Sequence, residues 1–91
     1  MHSIVSNETK CYLCGSVRWL ECHHIYGGAN RKKSTEYGLV VYLCHYCHNE
    51  PPLGVHHNKE RMNYLRQIGQ QAFIKYYPNK DFIKIFGKNY L

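Results

Sequence analysis

A chain of 91 residues makes one domain at most. At that length only about 60–65% of the unfolded surface can be buried, so a disulfide framework or a metal staple is expected. The formal charge of +6 and the seven histidines favour a polyanionic partner. No apolar run approaches the roughly 18 residues of a spanning helix, which excludes a helical membrane protein. Met1 to Lys10 is polar and lacks the apolar region of a secretory signal, so a cytoplasmic setting with reduced thiols is expected.

In chain order, residues 1–10 read as a flexible lead-in. Cys11-Tyr12-Leu13-Cys14-Gly15 reads as a zinc knuckle, with glycine suited to its tight turn. Val17 to Tyr26 predicts a strand, Gly27-Gly28-Ala29-Asn30 a turn, and Arg31-Lys32-Lys33-Ser34 a basic loop. Gly38 to Leu43 is β-branched and aromatic and predicts a second strand, running into Cys44-His45-Tyr46-Cys47-His48. The two strands suggest an antiparallel hairpin.

Pro51-Pro52-Leu53-Gly54 interrupts any helix that starts after the second knuckle. From about His56 to Tyr77, Met62, Leu65, Ile68, Ala72, Phe73 and Tyr76 recur at three- and four-residue steps and predict a helix, against which only Gly69 argues. Pro78 stops it. Asp81 to Phe86 predicts a short helix closed by Gly87.

Five cysteines leave one over, which argues against a closed disulfide scaffold. Cys11, Cys14, Cys44 and Cys47 form two Cys-x-x-Cys pairs, the ligand set of a closed tetrahedral structural Zn²⁺ with bonds of about 2.3 Å. A redox-active dithiol would need a βαβ context, which is missing. Cys22 is expected to pack as a small hydrophobe.

His2 and His45 are set aside as ordinary surface histidines. His23, His24, His48, His56 and His57 gather around the predicted hairpin and helix start. Neighbours in a strand face opposite ways, so His23 and His24 need different roles: one on a metal, the other on a water molecule.

The segments Glu21-Cys22-His23-His24-Ile25, Gly27-Gly28 and Leu43-Cys44-His45-Tyr46-Cys47-His48 resemble the HNH, or ββα-metal, endonucleases. The resemblance covers roughly residues 11 to 60. It implies an α+β fold: a small ββα-metal (His-Me finger) domain with a four-cysteine zinc knuckle over 11–60 and a helical extension over 56–91, together one nuclease domain from 11 to 91. It further implies His24 as the general base, and His23 and His48 as ligands of a catalytic divalent metal. A third ligand would fall at Pro52, which cannot ligate, so His56 or His57 is expected instead, with His56 preferred. Mg²⁺, Mn²⁺, Zn²⁺ and Ni²⁺ all remain open.

The family's middle asparagine has no match, since Tyr37-Gly38-Leu39 occupies that region. Orientation of the base is therefore expected from the backbone of residues 31–37 or from Ser34. Ile68 to Phe73 and Phe86 to Leu91 are similar to small phage and prophage HNH proteins, some of them similar to recombination-associated nucleases. That similarity implies a phage or recombination protein as a further partner and, for a phage-encoded chain, the host cytoplasm.

Arg31 is expected to clamp a phosphate oxygen of DNA, catalytically as well as for binding, with Lys32 and Lys33 extending the positive rim. Lys59, Arg61, Arg66, Lys75, Lys80, Lys84 and Lys88 read as wet helix faces. Two other readings stand beside the nuclease: a non-catalytic zinc module that binds nucleic acid, and an assembly module docking through helix 56–77.

Overall fold

In the computed structural model, which describes residues 2–91, the hairpin is built from β1 (Leu20–His24) and β2 (Val40–Cys44). They pair antiparallel, with Leu20 opposite Cys44 and His24 opposite Val40. Four helices complete an α+β fold among the described residues: α1 (Arg31–Glu36), α2 (His45–Asn49), α3 (Lys59–Tyr76) and α4 (Phe82–Phe86). No helix among them is long and apolar enough to cross a membrane.

A two-stranded hairpin is marginal by itself and needs a partner surface. That surface is α3, whose Leu65 and Phe73 are fully buried with Val41, Leu43, Ile25 and Tyr26 from the hairpin and Phe82 and Phe86 from α4. The predicted stripe is right at Leu65 and Phe73 but not at Tyr76, which is 57% exposed. Tyr77 takes that place, with its ring 5.1 Å from Phe73 and 5.4 Å from Tyr37.

Several expectations are corrected. The first strand is shorter than read, because Trp19 adopts a left-handed φ of 51° and its carbonyl accepts from His45 N–H at 2.9 Å. Arg31 to Ser34 is helix, not loop. The start of the lead-in is held to the hairpin: Ser3 is buried and donates to the Val40 carbonyl at 2.6 Å, and Ile4 N–H bonds to Gly38 O at 2.9 Å, while residues 7–10 are exposed. Cys22 is exposed on β1 rather than packed in the core.

The break after α2 is where the Pro-Pro segment predicts it. Gly54 N–H bonds to Glu50 O at 2.6 Å, and a Cβ on Gly54 would lie 2.6 Å from Glu50 backbone atoms, so only glycine fits. A 3₁₀ turn over Val55–His57 follows. Asn58 then caps α3 by accepting from Arg61 N–H at 3.0 Å, and Asp81 caps α4 by accepting from Lys84 N–H at 3.2 Å. Gly87, at φ 84°, closes α4. The tail returns to α3, where Gln70 Oε1 accepts from Tyr90 N–H at 2.7 Å and Gln67 Nε2 donates to Tyr90 O at 3.1 Å.

Gly69 has a packing reason. A Cβ there would meet the Tyr26 hydroxyl at 2.7 Å and Ile25 Cγ2 at 3.0 Å, and that hydroxyl is pinned by donating to Arg66 O at 2.5 Å. Gly69→Ala is expected to lose about 1–3 kcal/mol through overpacking, although alanine favours a helix by about 1 kcal/mol. Urea denaturation reads this directly, and a midpoint that stays or rises would show that the hairpin can retreat from α3.

Candidate functional site

The sulfur group comes from the chain segments that enter and leave the hairpin. Cys11 and Cys14 precede β1, Cys44 ends β2 and Cys47 lies on α2. Tyr12 N–H bonds to Tyr42 O at 2.9 Å, which lays the first knuckle beside β2, and Gly15 turns at φ 79° to bond back to Cys11 O at 2.8 Å. The four sulfurs lie within 4.8 Å of one another, and Cys14 and Cys44 are 3.7 Å apart. Tetrahedral bonds of about 2.3 Å to one zinc ion require sulfurs about 3.8 Å apart, so the set fits that ion.

The electrostatics agree. Burial opposes ionisation of Cys11, yet the backbone amides of Cys44, Cys14 and Leu13 bring it down to about 7. Burial and the neighbouring thiols push Cys47 up to about 12. One negative charge is tolerable here, but four thiolates need a dication among them.

The second group joins three elements. His23 near the end of β1, His48 on α2 and His56 on the 3₁₀ turn bring ring nitrogens within 4.8 Å of one another and could hold a metal ion. Their Nε2 atoms make the geometry concrete: those of His48 and His56 are 3.0 Å apart. Nitrogen ligands at about 2.0–2.1 Å from one ion lie about 3.0–3.4 Å apart, so the spacing suits a shared cation. His23 is 2% exposed, and its Nε2 is buried with no hydrogen-bond partner. Burial, then the neighbouring His48 and His56, push His23 down to about 3, so it is neutral at pH 7, the form that ligates. His56 is also lowered, by burial and then by His48, His57 and Arg66. His57 is exposed and does not join the group.

Glu21 is the residue that sequence reasoning passed over. Its Oε1 accepts from His48 Nδ1 at 2.9 Å and from Asn49 Nδ2 at 2.9 Å, and its Oε2 lies 3.2 Å from His45 Nδ1. The bond from His48 is the main reason the carboxyl sits below its usual range. It also fixes the tautomer, leaving the His48 Nε2 lone pair turned to His56 and His23. His45 is not a plain surface histidine, for it bridges Glu21 and Glu50, the latter at 2.8 Å, and its pKa is raised by Glu21 and then Glu50. The signal was available: Glu21 and His23 are two apart on a strand and share a face.

His24 stands outside the triad and lines two adjoining clefts that share His23 and His56. One, of about 260 Å³, includes Arg31 and His48; the other, of about 220 Å³, includes Arg66 and Tyr90. A larger hollow of about 430 Å³ lies at Trp19, Glu21, His45 and Tyr46, but none of the three convergent histidines lines it. Burial, then Arg31, lower the His24 pKa, so it is a free base at neutral pH. Ser34 accepts from Tyr26 N–H at 3.0 Å and donates to Tyr26 O at 2.7 Å, clamping the chain two residues beyond His24. Of the expected basic rim, Arg31 alone lines either of these two clefts. Lys32 is exposed away from both, and Lys33 donates to Ile85 O at 2.7 Å at the end of α4.

No family model, curated protein or solved structure matches the chain, so any functional reading rests on these two groups and their surroundings.

Two outcomes follow from the geometry. Cys47→Ser is expected to lose the sulfur-bound ion and leave the chain largely unfolded, since structural zinc contributes roughly 10 kcal/mol or more and a small domain has only about 5–15 in all; elemental analysis and circular dichroism check it. Glu21→Gln is expected to weaken Ni²⁺ binding at the histidines about 10- to 100-fold while zinc content holds, as measured by calorimetric titration of the zinc-loaded protein.

Proposed function

We propose that this chain is a metal-dependent endonuclease of the HNH, ββα-metal type, hydrolysing phosphodiester bonds in DNA. The observation that carries the reading is the convergence of His23, His48 and His56, with a buried orphan nitrogen on His23, in clefts that His24 also lines. A net charge of +6 suits a polyanionic substrate. Reduced thiols at the sulfur group suit a cytoplasmic setting.

In this reading each residue has one task. His23, His48 and His56 would hold a divalent cation, and Glu21 keeps His48 in the ligating tautomer. When bound, that cation supplies Lewis-acid stabilisation of the scissile phosphate and of the leaving oxygen. His24 accepts a proton from the attacking water, for which an uncharged imidazole at neutral pH is suited. Arg31 holds a non-bridging phosphate oxygen through its planar fork as charge builds on phosphorus. Ser34 does the orienting work expected of the missing asparagine, by fixing the backbone just past the base.

A zinc-stapled module that only binds nucleic acid would share the sulfur group and the charge. It would have no use for three ligating nitrogens beside a free imidazole. His24→Ala is expected to reduce nicking of supercoiled plasmid about 10²–10⁴-fold while zinc content and helicity stay unchanged. Equal activity in both proteins, or none in either, would return the reading to the binding module.

A further inference from the structure

Arg66 of α3 is set in an unusual place for a cation on an outer helix. Its Nε is buried with no hydrogen-bond partner, and among the described residues no carboxylate pairs with it. Such a group calls for an explanation, since a buried guanidinium nitrogen without an acceptor is costly. Its guanidinium carbon lies 5.7 Å from the Tyr90 ring centre, and Lys88 Nζ lies 5.3 Å from the same ring. Two positive groups thus lie against one aromatic ring.

The clefts connect these groups to the histidines. The Arg31 cleft and the Arg66 cleft share His23, His24 and His56. A third, open cleft of about 550 Å³ continues from His56 and Arg66 to Lys59 and Lys88. The result is one track with Arg31 at one end, the histidines in the middle and Arg66, Lys59 and Lys88 at the other. The turned-back tail, held by Gln67 and Gln70, is what brings Tyr90 and Lys88 to that end.

We propose that Arg66, with Lys88 beside the Tyr90 ring, is a second phosphate subsite that holds a phosphodiester of the same DNA strand next to the one at the histidines. The proposal rests on the nuclease reading for its role but not for its test. Binding of a fluorescently labelled DNA duplex is followed by polarisation over a range of salt, in a His24→Ala background so that the duplex stays intact. Arg66→Met keeps apolar contact with Tyr90 and removes the charge. Lys75→Met removes the same charge from an exposed position that lines none of the three clefts.

Arg66→Met is expected to bind roughly tenfold or more weakly and to lower the slope of log K against log salt by about one, with Lys75→Met changing little. Arg66→Lys is expected to recover the slope and part of the affinity. If Arg66→Met does not fold, Lys88→Met carries the same expectation. Identical binding by the Arg66 and Lys75 variants, or no duplex binding in the His24→Ala background, overturns the subsite. A wild-type protein that never nicks, but whose binding still depends on Arg66, removes the enzyme reading and leaves the subsite standing.

Discussion

The structure depends on four sulfurs drawn together where the chain enters and leaves a short hairpin. Among the described residues the β-sheet has two strands, and the two knuckles close it at the end where Leu20 faces Cys44. Because Cys44 is the last residue of β2 and Cys47 lies in the first turn of α2, the sulfur group also fixes where that helix begins and how it is rotated. His48 inherits its direction from that constraint. Glu21, on the neighbouring strand, then locks its ring. The packing of α3 against the hairpin supplies the other half, since the turn that carries His56 leads straight into Asn58 and α3.

The acidic residues are distributed with consequence. Asp and Glu number six, and among the described residues the ion pairs engage Glu8, Glu21 and Glu50 with a lysine and with histidines, never with an arginine. Two carboxylates therefore serve imidazoles, orienting them and raising the basicity of His45. Arg31 and Arg66, which flank the histidine group, keep their charge uncompensated. A basic protein of this size could have spread its cations evenly; instead two of them border the clefts that hold the convergent nitrogens.

Much of this could be read in the sequence, for reasons that differ from residue to residue. The sulfur group follows from two Cys-x-x-Cys spacings, which are local and stringent. His23 joins His48 and His56 while His24 stands outside that group, a separation that strand alternation makes legible. The Pro-Pro break and the Asp81 and Gly87 caps are also local signals. What escaped was set by non-local contacts. Ser3 is ordered by the Val40 carbonyl, far along the chain. Arg31 to Glu36 has too few residues to show a helical period, and its burial is carried by one small residue, Ser34. Tyr76 and Tyr77 exchange roles because aromatic packing with Tyr37 decides between adjacent rings. Arg66 reads as a wet face on a helical wheel, and only the returning tail makes it the wall of a cleft.

Cys47 and His48 are consecutive residues on a helix of five residues. Thermodynamic linkage then couples the two groups: whatever favours the ordered sulfur cluster also prearranges the imidazoles, and the converse holds with equal strength. A chelator that removed zinc from the sulfurs would then disorder the histidine group without touching it, and thiol oxidation would do the same. In the proposed reading the knuckle would thus gate the histidine group according to the redox state of its surroundings, as well as clasp the chain.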